Sequence, residues 1–138
     1  MPTVRLGTST RTAAADAVVD QLDLGAGAAT IQLRSGAIPA TPQTAATGTL
    51  LATVVLSDPA AGNASAGVAT ITDPGSVTGV AAGDVGYARF LDSNNVVVMD
   101  MDVSTVAAGT GAIQLATTTI SVGVTVDLSA ITVTVPQG

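Results

Sequence analysis

The stretch Gly86–Ser104, GYARFLDSNNVVVMDMDVS, decides how the rest of the chain is read. Two runs of β-favouring residues flank Asp92-Ser93-Asn94-Asn95. A short polar segment with Asn between such runs is a hairpin signal, because Asn tolerates the left-handed backbone of tight turns. Pairing the strands symmetrically about Ser93 and Asn94 sets Phe90 opposite Val97, Ala88 opposite Met99 and Gly86 opposite Met101, an apolar face. The other face sets Arg89 opposite Val98 and Tyr87 opposite Asp100. Arg89 and Asp100 are then diagonal neighbours within reach of an ion pair. A slip by one residue would turn one strand over and mix the faces. Phe90 is therefore expected in the core.

Outward from the hairpin the pattern stays β. Thr30–Arg34 alternates Ile31 and Leu33 with polar residues, a half-buried strand. Ser35–Thr47 carries Gly36, Pro39 and Pro42 and reads as a loop. Thr49–Ser57 is a longer strand with Leu50, Val54 and Leu56 on one face, ended by Asp58-Pro59. Val68–Thr72 is a strand closed by the turn sequence Asp73-Pro74-Gly75, and Val77–Val80 a short edge strand. Ala107–Gly111 is a link. Ala112–Ala116 and Thr118–Ile120 are short strands, followed by a turn at Ser121-Val122-Gly123. In the last run Val124, Val126 and Leu128 point one way, and Ile131, Val133 and Val135 resume in the opposite phase. A bulge at Ser129-Ala130 would repair the phase. Seven to nine short strands with regular turns predict an all-β fold, a β-sandwich of jelly-roll or immunoglobulin-like type.

One segment departs from this. Ala14, Ala15, Val18, Val19 and Leu22 recur at helical spacing, with Asp16, Asp20 and Asp23 off the stripe. This predicts an α-helix over 9–24, capped by Thr8 or Ser9 and stopped by Gly25. Residues 1–8 form an N-terminal arm, and 9–138 a single domain.

Composition limits the chemistry. The chain has 138 residues, a net charge of −6, 47% hydrophobic residues and 1% aromatics. Its core must be made of Val, Ile, Leu and Ala, with Tyr87 and Phe90 the only aromatic side chains. Every acid is Asp, and the only cations are Arg5, Arg11, Arg34 and Arg89. Nucleic-acid binding requires a basic patch, so no nucleic-acid partner is expected. No polybasic anchor, apolar span or secretory signal is read, so no membrane partner is expected either, and synthesis in a host cytoplasm is.

No catalytic constellation emerges. A Ser or Thr nucleophile lacks any His or Lys to activate it. Asp100 and Asp102 share a strand face at two-residue spacing, which would suit acid and base roles or metal ligation only with further partners. They are read as solvated carboxylates, one paired with Arg89. Gly25-Ala26-Gly27 does not open a helix after a strand, so it is no phosphate cradle. Asn63-Ala64-Ser65 is a formal glycosylation sequon without a secretory context. No cofactor or metal is expected, and the chain is read as a non-enzyme.

The stretches RTAAADAVVDQLDLGAG, SGAIPA, TAATGTLLATVVLSDPA, RFLDSNNVVVMDMDVS and ISVGVTVDLSAITVTVPQG, in that order, cover nearly the whole chain. In them the chain resembles a family of small virion structural proteins of tailed bacteriophages. The resemblance implies a particle component, and the lysine-free acidic composition favours a capsid decoration, or cement, protein on the outer capsid surface. Its expected partners are the major capsid protein and its own copies, a homotrimer first and a homodimer second. Arg5 and Arg11 are the expected capsid contacts. The alternatives are a tail, tail-tube or tail-tip component, a surface-exposed immunoglobulin-like recognition module, and, least, a carbohydrate hydrolase using Asp100 and Asp102.

Overall fold

The structure is a computed structural model and describes residues 2–138. One helix, α1 (Thr8–Asp20), precedes eleven strands among the described residues: β1 (Thr30–Arg34), β2 (Leu50–Val55), β3 (Val68–Ile71), β4 (Gly75–Thr78), β5 (Gly83–Asp84), β6 (Tyr87–Leu91), β7 (Val97–Thr105), β8 (Ile113–Leu115), β9 (Thr119–Ile120), β10 (Thr125–Leu128) and β11 (Ile131–Thr134). The fold is all-β with one short helix. The strand count exceeds the expected seven to nine because the two-residue β5 adds a strand and the last run divides in two.

The centre is a five-stranded sheet in the order β2-β1-β6-β7-β8. Its pairs are antiparallel except β7–β8, which is parallel. One face is apolar: Ile31, Leu33, Val54, Ala88 and Phe90 are buried there, and Met99 and Met101 pack against them. Three two-stranded ladders, β10-β4, β11-β3 and β5-β9, complete the fold. The β4–β10 ribbon touches β2 through β4 and β8 through β10. Both edges of the five-stranded sheet are thus covered, which removes two templates for stray pairing. A single aliphatic cluster joins the apolar sheet face to Ala15, Val19 and Leu22 of the helical segment and to Ile120, Val126, Leu128 and Ile131.

The central hairpin forms with the expected faces but a different register. Arg89 is directly opposite Asp100, Ala88 opposite Met101 and Phe90 opposite Met99, with an irregularity between Phe90 and Leu91. The pairing is displaced by two residues, which preserves each face. The turn supplies one residue of the displacement, and the irregularity that skips Val98 supplies the other. Asp92 Oδ1 accepts from the backbone N–H of Asn94 and of Val96, and Asn95 sits at φ +63°. This Asx-capped turn takes in Val96, one residue more than expected.

Three other expectations change. In β2 a bulge sets Leu33 opposite Ala52 but Arg34 opposite Leu50. Leu51 is the extra residue, so Leu51 and Ala52 are both buried and Leu50 is not the inward residue. Ser129-Ala130 is not a bulge within one strand. The chain leaves the β4 ladder there and joins the β3 ladder, and this change of sheet inverts the phase. Finally, α1 ends at Asp20 rather than 24. The chain tightens into i→i−3 bonds at Gln21, Leu22 and Asp23, which keep Leu22 buried, before Gly25 turns at φ +98°. Its N-cap is Gly7, with extended backbone and no side-chain cap, instead of Thr8 or Ser9.

Helix α1 packs beside β3 and β11. Its polar residues hold the neighbouring loop by backbone contacts. Asp16 Oδ1 accepts from Ala64 N–H at 2.6 Å and Asp23 Oδ1 from Ala60 N–H at 2.7 Å. Thr12 Oγ1 accepts from Gly67 N–H at 3.1 Å. Asp16 and Asp23 are therefore anchors, and they replace part of the apolar contact that an alanine-rich helix lacks.

Candidate functional site

The polar face of the five-stranded sheet carries the one buried ion pair among the described residues. On β6 and β7, Arg89 and Asp100 face each other, and both side chains are 4% exposed. The pair is bidentate: Arg89 Nε donates to Asp100 Oδ1 at 2.8 Å and Nη2 to Oδ2 at 2.9 Å. This planar fork is the strong form of the arginine–carboxylate contact. Arg89 Nη1 donates to the carbonyl of Thr44 at 2.9 Å. The hydrogen bonds to Asp100 raise the Arg89 pKa above its ordinary value, against desolvation that lowers it. Asp100 is thus not the solvated carboxylate expected from sequence. Its cover, the loop before β2, is distant in the chain, so no local pattern reveals the burial.

That loop, Ser35–Thr49, joins two adjacent antiparallel strands. Its neck is closed by Ser35 N–H to Thr49 O at 3.0 Å and by Thr49 N–H to Ser35 Oγ at 2.8 Å. Two further side chains from the sheet reach it besides Arg89. Tyr87 is buried, and its hydroxyl accepts from Thr47 N–H at 2.9 Å and donates to Thr47 O at 3.2 Å. Arg34 Nε donates to Thr47 O at 3.1 Å, Nη2 to Gly48 O at 3.2 Å and Nη1 to Gln32 Oε1 at 3.1 Å. The Arg89 guanidinium lies 5.9 Å from the Tyr87 ring centroid, within cation–π range. Beside the loop a groove of about 440 Å³ is lined by the apolar Pro42, Ala45, Val96 and Val97 and by the polar Gln43, Thr44 and Arg89.

The two residues expected to touch a capsid differ. Arg5 is exposed and makes no side-chain hydrogen bond or ion pair among the described residues. Arg11 is turned inward: its Nη1 and Nη2 lie 3.4 Å from the carbonyls of Val135 and Ala66. Three of the four arginines therefore bind backbone carbonyls of their own chain. The arm is joined to the C-terminal segment by one backbone bond, Leu6 N–H to Gln137 O at 2.8 Å.

The remaining candidates fall apart spatially or structurally. Asp102 is exposed, and its Oδ1 accepts from Ala112 N–H at 2.9 Å, closing the link before β8. Asp92 is buried as the turn cap described above. Gly25-Ala26-Gly27 receives the hairpin tip: Ser93 Oγ donates to Leu24 O and accepts from Gly27 N–H. Asn63 is exposed on the loop that α1 holds. No group of three or more acids positioned to hold a metal occurs among the described residues. Comparison with family models, with curated proteins and with solved structures finds no match.

Proposed function

We propose that this chain is a bacteriophage virion structural protein, a capsid decoration (cement) protein bound to the outside of the head. Its strands would form a sandwich of jelly-roll or immunoglobulin-like type. The engagement of Arg11, Arg34 and Arg89 by carbonyls of their own chain is the observation that carries this reading. It leaves Arg5 as the exposed cation on a molecule of net charge −6. An acidic exterior repels phosphate backbones and suits the outer side of a DNA-filled shell. The resemblance noted from sequence points the same way.

The mechanism is linkage. A protein that binds the assembled shell but not its separate subunits stabilises the shell by mass action, about 2.7 kcal/mol per site at a hundredfold excess over Kd. The partners are the major capsid protein and further copies of this chain, as a homotrimer before a homodimer. The exposed arm carries Arg5 to acidic capsid surface, while Arg11 holds the arm's root to the domain. Deleting residues 1–5, which leaves Leu6 and the Gly7 cap in place, tests this: particle occupancy should fall while the circular dichroism and melting temperature of the domain stay unchanged. Full occupancy by the truncated chain rejects the mechanism.

A further inference from the structure

The α1 segment is fastened to the β2–β3 connection by three side chains in register. Thr12 accepts from Gly67 N–H, Asp16 from Ala64 N–H and Asp23 from Ala60 N–H. Helix positions rise as loop positions fall, so the two run antiparallel, joined like a zip. Steps of four and seven return a helical residue to nearly the same face, so Thr12, Asp16 and Asp23 all reach one loop. Arg11 adds contacts to the Ala66 and Val135 carbonyls at the arm end. The loop has its own ties to β3, Thr72 N–H to Ala60 O and the reciprocal Ser65–Val68 bonds. It therefore keeps its place without the helix, whereas the helix depends on the loop. The segment fully buries only Ala15, Val19 and Leu22, and α1 has no side-chain cap at Gly7 and no basic residue in its last turn. Asp20 and Asp23 oppose the dipole at its C-terminal end. A segment with few buried apolar side chains and many polar fastenings belongs to the low-stability end of a fold.

We infer that residues 2–24 form a strap that lifts from β3 and β11 as one piece, pivoting at Gly25-Ala26-Gly27. Gly25, at φ +98°, and its small neighbours let the chain swing there. The fastenings let go together, because displacing the helix at one clip takes the neighbouring donor and acceptor out of alignment. Arg11 leaves with them, and so does the arm's one backbone bond, Leu6 N–H to Gln137 O. The opening therefore frees the arm at its root. The lifted state is a minor one, so the heat-induced transition of the whole chain stays single. The strap opens whether or not the chain meets a particle, and the isolated protein suffices for the test.

That test is native-state hydrogen exchange in increasing urea. The amides of α1 beyond its first turn and those of Ala60, Ala64 and Gly67 should share one opening free energy. It should be lower than that of the amides paired within β1 and β6, and less dependent on urea. Thr12→Val removes the Gly67 acceptor at nearly constant shape. The Ala60 and Ala64 amides, whose own acceptors are untouched, should then exchange roughly five- to thirtyfold faster, together with the helix. Asp23→Ala, at the other end of the zip, should do the same to Ala64 and Gly67. Acceleration confined to the amide whose acceptor was removed overturns the inference. So does exchange of α1 at the free energy and urea dependence of the central sheet.

Discussion

Asp100 has its charge matched by Arg89, and Arg89 has its remaining donor on Thr44 O. Removing one member leaves the other charged and buried. Asp100→Ala should therefore cost about 3–5 kcal/mol in urea denaturation. Replacing both members with apolar residues of similar volume, Arg89→Met with Asp100→Leu, should cost much less than the single change. Equal cost for the two would show that the charge match is not what matters. The pH dependence follows from the raised pKa of Arg89. A cation whose folded pKa exceeds its unfolded one contributes stability that is fully present below the unfolded value. That stability is lost only as pH rises through the folded value, above the ordinary arginine range. Titration from neutral to moderately alkaline pH should thus leave this contribution intact. The inward arginines also make a proteolytic prediction. Trypsin acting on the native chain should cut after Arg5 and spare Arg11, Arg34 and Arg89. Early cleavage after Arg34 would contradict the held loop.

The elements depend on backbone clips as much as on apolar faces. Asp16→Ala and Asp23→Ala should each destabilise by about 1–2 kcal/mol, since each frees one backbone donor while water partly replaces the carboxylate. Gly86, at the start of β6, has the Gly36 backbone carbonyl where a side chain would go. Gly86→Ala should cost about 1–3 kcal/mol by forcing that backbone apart, read as a lowered melting temperature. These scales also explain what was legible from residues alone. The alternation of Ile31 and Leu33 placed β1 correctly, and the faces of the hairpin followed from its composition. Its register did not, because the Asp92 side chain lengthens the turn by one residue and a bulge at Val98 adds a second, and no periodicity encodes either. The phase change at Ser129-Ala130 was visible, but a bulge and a change of sheet leave the same trace in a single strand's pattern. The cover over Asp100 comes from residues about fifty positions away, and contacts at that distance are set by the sheet order.

For the whole molecule, one aliphatic cluster with a single buried Phe holds helix and sheets together. Phe90→Ala should cost about 3–5 kcal/mol and lower the stability of all elements together, as read by coincident far-ultraviolet and Tyr87 fluorescence transitions. Separate transitions would show more than one cooperative unit. Outside this core the molecule offers an acidic exterior, a charge-free loop on a rigid support, and an arm carrying one unengaged cation. On the proposed reading, such a surface acts by attachment. The most direct measurement is an image reconstruction of the particles at side-chain resolution. It should place many copies on the outer face of the head. Density for this chain within the DNA-filled interior, or its absence from the particle, would contradict the account.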